Sequence, residues 1–433
     1  MASTGLTAAW AALHTFQFGL AVSGLNGVQS ALTCKDAGEG EGVSDTSGWL
    51  EPCIAMTPAK FGIVVSIFTL GGLTAALGSR VVHARVGNVG TLRSSACAVL
   101  VGSLLLSIAN SVHAAIIARL IVGLGCGLAT TTVPLVLAEI APANQKRALG
   151  ILNQLFIVTG VLVGQALSFP LGHAYMWRGV PAVSAVVAIG QLIGSKFVNV
   201  DPSTPASAED EPLLERNVAR EPLTISQLFT TKDARVRYAF PLVLITQFAQ
   251  QVCGVSAVMY FSTSILSPVF PGSAKLVALI VVILKIPATV APAFLIERIG
   301  TRPLLTYPTA VMCVCLVSLA VGINANAGVL AVVGIVGFVI AFSLGLGPVT
   351  WVVLGEVMPP HARAAGSAVG LAVNWSMAFV VGSTFLPFQQ WLAGGERGKE
   401  GNIFFVFATT TALSLVAIRW GYKLYERVEK QDL

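Results

Sequence analysis

Glu139-Ile140-Ala141-Pro142-Ala143-Asn144-Gln145-Lys146 and Glu356-Val357-Met358-Pro359-Pro360-His361-Ala362-Arg363 are two versions of one pattern, 217 positions apart. Each closes a long apolar run with an acid, places a proline three residues on and a cation seven residues on. A second pair, Arg85-Val86-Gly87 and Glu297-Arg298-Ile299-Gly300-Thr301-Arg302, recurs in the same order at an offset of 213 residues. Two unrelated loops rarely agree in order, side and spacing. The chain therefore reads as a duplicated unit of about half its length, the kind of parallel repeat that builds a binding site at the interface of its copies.

Working outward, only 11% of the 433 residues are charged and 55% are hydrophobic, where a soluble chain carries roughly 25% charge. Apolar segments fall at about 8–30, 60–82, 92–111, 115–138, 147–170, 178–199, 238–266, 276–296, 303–323, 328–355, 364–387 and 402–422, each near the ~20 residues that cross a bilayer. The expectation is an all-α membrane protein of twelve spans in two six-helix bundles. Its units are residues 1–199, a linker at 200–237 with short surface helices, and residues 238–433. The short uncharged start running into further spans argues against a cleaved signal peptide.

Eighteen of the 26 Lys and Arg fall on the loops that share a side with both termini, so the positive-inside bias puts that side in the cytosol. The basic residues are scattered and lack interleaved aromatics, which excludes a nucleic-acid surface. The seven cysteines include no metal-ligand spacing, and no nucleophile has a neighbouring base; neither metal, cofactor nor enzyme is expected. Cys34 and Cys53 flank an acidic segment on the non-cytosolic side, where they either pair or stay free. Arg85, Glu139, Lys146, Arg147, Glu297, Arg298, Arg302, Glu356 and Arg363 cluster at cytosolic helix ends. There they either close a gate by ion pairs between the bundles or fix topology alone; their presence in both halves favours the gate.

Polar groups in mid-span usually face a bundle interior or a wet cavity. The fifth span carries Asn153, Gln154 and Gln165, the seventh Gln247, Gln250, Gln251, Ser256 and Tyr260, the eleventh Asn374 and Trp375, and the tenth Gly345-Leu346-Gly347-Pro348-Val349-Thr350-Trp351. Amides donate and accept without charge and indoles offer a flat apolar face, which suits a neutral polyhydroxylated solute. The competing role is interhelical glue. The Gly-Pro break reads as a hinge or a static kink. Lys285, alone in the eighth span, is a ligand for an anion, a titrating switch, or a side chain snorkelling to the interface.

Taken together these residues resemble the sugar porter family of the major facilitator superfamily over nearly the whole chain. Gln250-Gln251-Val252-Cys253-Gly254-Val255-Ser256 with Tyr260 is similar to the family's QQxxGxNxxxYY stretch, and Val133-Pro134 through Glu139-Ile140-Ala141-Pro142 to VPxYxxEIxP. Leu152-Asn153-Gln154-Leu155 resembles LxQL, Gly347-Pro348-Val349-Thr350-Trp351 resembles GPxPW, and Asn374-Trp375 the NW pair; Phe18-Gly19 and Asn26 also fit. The resemblance implies that Gln154, Gln250, Gln251 and Trp351 contact a sugar, with Trp375 lining the cavity; Ser256, Lys285 and Asn374 complete the expected substrate-binding set. It also shows departures: Ser256 and Lys285 stand where the family has Asn, Ala21 where proton-coupled members have Asp, and Ala84-Arg85-Val86-Gly87 replaces DRxGRR.

The expected activity is transport of a monosaccharide, a hexose such as glucose, by alternating access and facilitated diffusion. Proton coupling through Lys285 and a non-transporting sensor are the alternatives; the short tails favour transport. Glu209-Asp210-Glu211-Pro212-Leu213-Leu214 fits an acidic dileucine signal read by adaptor proteins, pointing to a vacuolar, lysosomal or other endomembrane. The implied partners are the sugar, the bilayer and such adaptors, for a monomeric protein.

Overall fold

The computed structural model describes residues 2–34, 50–141, 146–198, 223–396 and 398–429, the side chains of 2–4, 146–148 and 427–429 excepted. Among these residues there is no strand. Nine helices are long and apolar enough to cross a membrane, and the bent pair Ala274–Val290 and Pro292–Ile299 makes ten. Pro58–Ser107 counts as one of the nine at 50 residues, about 75 Å of helix at 1.5 Å per residue, which is two crossings of a ~30 Å hydrocarbon core. Ala2–Ser23 is the twelfth.

The chain divides Pro58–Ser107 at Gly87, whose backbone sits at φ 67, ψ −177. The eighth and ninth spans part at Gly300, at φ 80, ψ 167. This region is open essentially to glycine alone. The repeat seen in the sequence is therefore a repeat in backbone geometry: one glycine reverses the chain at the same point of each half. The expected polar connection at 83–91 is helical on either side of Gly87, because His83, Arg85 and Asn88 are polar without being helix breakers.

The remaining spans are Val112–Ile140, Lys146–Ala166 continued by Ser168–Leu171, Gly179–Gly194, Ala234–Val252 continued by Val255–Leu266, Thr301–Asn324, Gly328–Leu344 continued by Leu346–Val357, Pro360–Ala393 and Asn402–Glu429. Their starts carry sequence-encoded caps. Thr57 and Ser111 accept from the backbone N–H groups of Lys60 and Ala114, and Pro58 occupies a first-turn position that needs no N–H. Before the seventh span, Thr224 and Gln227 form a capping box for the short helix Ile225–Thr230; this is the described part of the expected linker helices.

An even number of crossings brings both ends of the chain to one face. That face also holds Gly87, Gly300 and Ile225–Thr230, the described helix of the linker, and is called the linker face below. The opposite disulfide face holds Cys34 and Cys53, which are bonded to each other. There one hydrophobic core joins the two halves, and it continues through the second half to Leu228, Met358 and Tyr422 at the linker face. Its spine is aromatic, with Phe61 of the first half 6.1 Å from Phe261, and Phe261 stacked at 5.4 Å on Phe385. A second core around Trp10, Leu92, Val133, Val136, Leu137 and Val198, nearer the linker face, belongs to the first half alone. The halves are fused on one face and packed separately on the other.

Candidate solute site

The seventh span is interrupted before Val255, where Gly254 has φ 87, and the tenth before Leu346, where Gly345 has φ −114, ψ −103. Interrupted spans are where transporters of this architecture place their sites. Gln250 joins the two breaks: its Nε2 donates to the carbonyl oxygens of Leu346 and Gly347, at 2.7 Å each. Its Oε1 accepts from Asn374 Nδ2 at 2.5 Å. Asn374 also donates to Gln247 Oε1 at 3.0 Å and accepts from Gln251 Nε2 at 3.0 Å. Ser256 Oγ donates to Gln251 Oε1 at 2.6 Å.

Gln247, Gln250, Gln251, Ser256 and Asn374 are all buried. They form one uncharged network across the seventh, tenth and eleventh spans. Both N–H groups of Gln250 are spent on the tenth span, whereas Gln247 Nε2 is buried with no partner, a donor kept out of water without compensation. The sequence singled out four of these five as site residues; Gln247 lies on the same stripe, one turn earlier.

The other expected residues lie around this network. Trp375 is buried, with its ring 5.8 Å from Phe18 of the first half. It lies over Gly72, where a Cβ would come within 1.8 Å of the indole, so only glycine admits it. Trp351 is 43% exposed and Gln154 is exposed on the first half. Lys285 is half-buried, its Nζ 3.6 Å from Met259 Sδ.

Bonds between the halves sit on the disulfide side of the network. Asn26 Nδ2 donates to Ser262 Oγ at 2.7 Å and to Met259 O at 3.2 Å, and its Oδ1 accepts from Thr263 N at 3.1 Å. Gln165 Nε2 reaches the same Ser262 hydroxyl at 3.1 Å. The sequence flagged Asn26 and Gln165 but gave no sign of Ser262, an ordinary residue whose role comes from its partner.

On the linker face three of the described gate residues bond within their own halves. Glu139 accepts from Asn88 Nδ2 at 2.9 Å, Arg302 pairs with Glu426, and Arg363 Nη2 reaches Met358 O at 3.5 Å. Arg85 and Arg298 are exposed and Glu356 is exposed at the end of the tenth span; Glu297 has an interaction of its own. The side chains of Lys146 and Arg147, and the Glu209, Leu213 and Leu214 signal, lie outside the described residues.

Two helical bundles joined on one face, with broken seventh and tenth spans meeting at a neutral polar network, define a secondary transporter of the major facilitator type. The chain belongs to the family of sugar (and other) transporters, whose profile matches residues 7–206 and again 199–426. It is similar to a probable metabolite transport protein of Saccharomyces cerevisiae, at 27% identity over 95% of this chain and 90% of that one. It is also similar to the human facilitated glucose transporter member 4 of solute carrier family 2, at 30% identity over 75% of this chain and 70% of that one. Among solved structures it superposes on a D-xylose–proton symporter with a TM-score of 0.76, at 19% identity over 96% of this chain and 97% of that one, a likeness of fold.

Proposed function

We propose that the protein moves a monosaccharide, a hexose such as glucose in the first instance, down its own gradient by alternating access. The observation that carries this reading is the Gln250–Gln251–Ser256–Asn374 network, a set of donors and acceptors without formal charge. It lies on the linker side of the bonds that Asn26 and Gln165 make between the halves, and the first half's Gln154 is exposed. Sugar hydroxyls exchange with the amide–amide bonds, so the network is preserved in the empty carrier and re-formed around the solute. Trp351 and Trp375 supply the apolar faces that cover the pyranose ring.

The bonded disulfide face and the separately packed linker face fit a carrier open at the linker face. We place that face in the cytosol, since it collects most of the Lys and Arg and the disulfide belongs to an oxidising compartment. In the alternate state Glu139, Glu297 and Glu356 exchange their partners for Arg85, Arg298, Arg302 and Arg363 across the seam. The units are residues 1–199, the linker 200–237 and residues 238–433. The Glu209–Leu214 signal directs the protein to an endomembrane through adaptor proteins.

The neutral network supports facilitated diffusion, as does Ala21, a buried alanine where a proton carrier would need a carboxylate. Uptake of labelled glucose into de-energised proteoliposomes is expected to proceed to equilibrium and to be indifferent to an imposed pH gradient. Accumulation beyond equilibrium under that gradient overturns uniport in favour of proton coupling, for which Lys285 is the candidate group.

A further inference from the structure

We propose that Lys285 is the specificity-determining residue of this site, and that the preferred solute is a monosaccharide bearing one carboxylate, such as a hexuronate. The inference rests on the transport reading above and narrows its substrate class.

An ammonium in the hydrocarbon region is costly unless it is paired or wet. Among the described residues no carboxylate lies within ion-pairing distance of Lys285; the contact of its Nζ is the soft thioether of Met259. Its neighbours explain where it points. The fifth and eighth spans meet through Val158, Val161 and Val282, with Leu162 and Ile286 packed against them. Lys285 lies three residues beyond Val282 towards the linker face, about 4.5 Å at 1.5 Å per residue, and Gln154 lies four residues from Val158 in the same direction, about 6 Å. The two side chains are thus at one depth on facing spans, just past the contact that closes the seam.

On the other side of Lys285, Met259 belongs to the second part of the seventh span, which begins beside Ser256. Its carbonyl accepts from Asn26. Gln154 on one side of the seam, and the amide network and Lys285 on the other, are the groups this proposal sets around the solute. Amides read hydroxyls and Lys285 adds a single positive charge, which a neutral hexose leaves uncompensated and a carboxylate balances.

The test is paired uptake of D-glucuronate and D-glucose into proteoliposomes holding the full chain, Lys285→Asn or Lys285→Arg. The expected result is that the parent carries glucuronate at least tenfold faster than glucose. Lys285→Asn reverses that ratio, and its glucose uptake also shows that it is folded. Lys285→Arg keeps the preference. An inside-positive potential accelerates glucuronate entry and leaves glucose entry unchanged, because only the acid carries charge through the cycle. A parent that prefers glucose, or a ratio unmoved by Lys285→Asn, overturns the assignment while leaving sugar transport standing. Uptake of neither sugar above that of empty liposomes overturns the transport reading and this proposal with it.

Discussion

Arg119 and Lys285 are cations inside the fourth and eighth spans, and they are treated in opposite ways. Arg119, in the fourth span, is buried: its Nε donates to Val64 O at 3.2 Å and its Nη2 to Val65 O at 2.7 Å, and the guanidinium lies 4.6 Å from the Phe68 ring centroid. These carbonyls precede the break between Pro58–Ser66 and the helix that starts at Phe68. A planar fork with several donors satisfies such a cluster and keeps its charge. Lys285 in the eighth span has a thioether for company. One charge is consumed by the fold; the other is left over, and it is the one we assign to a solute. Arg178 falls on the consumed side too, donating to the carbonyls of Ser107, Ala109 and Glu51.

The contrast is broken most forcefully at Arg119. Arg119→Leu leaves two buried carbonyls without a donor, at about 1–3 kcal/mol each, and removes a cation–π contact worth up to ~2 kcal/mol when desolvated. A loss of several kcal/mol is expected, seen as a steep fall in the melting temperature and in the monodisperse fraction in detergent. Arg119→Lys recovers part of it. A leucine variant that melts with the parent would show that the guanidinium is dispensable and that the two cations do not differ in kind.

A smaller effect sharpens the difference between the two faces. Asn26→Ala removes three bonds that tie the first half to Met259, Ser262 and Thr263. If each is worth ~0.5–1.5 kcal/mol net, partial compensation by water still leaves about a tenfold shift of population away from the closed disulfide face. Spin labels at Lys60 and Gln390, on opposite halves of that face, read it as a growth of the longer-distance population. An unchanged distribution would mean that the aromatic contact of Phe61 with Phe261, and not the polar seam, holds the face shut.

What the sequence made legible follows the same division. The two-bundle fold was readable because the hydrocarbon core fixes span length and because Gly87 and Gly300 recur where only glycine fits. Gln250, Gln251, Ser256 and Asn374 were readable because a polar side chain in an apolar run is conspicuous. The roles of Arg119 and Arg178 were not legible, since spacing along one helix cannot say whether a guanidinium reaches water or a neighbour's carbonyls. Ser262 stayed hidden for a related reason: its meaning lies in Asn26 and Gln165, on distant spans. The charges proposed as a gate were legible as a cluster along the chain but not as pairs, and in this structure Glu139 and Arg302 bond within their own halves.

The finest test of the comparison concerns stability at Lys285 itself. If the ammonium were structural, as Arg119 is, Lys285→Met would destabilise the fold. If it is held for a solute, an unbranched apolar side chain of similar length removes a desolvated charge and breaks no ion pair, so the empty protein is expected to melt at the parent's temperature or a few degrees above it, a gain of up to about 1 kcal/mol. Adding glucuronate then raises the melting temperature of the parent through binding to the folded state and leaves that of Lys285→Met where it was. A variant that melts well below the parent in the absence of solute would move Lys285 into the class of Arg119 and remove the basis for assigning it to the substrate.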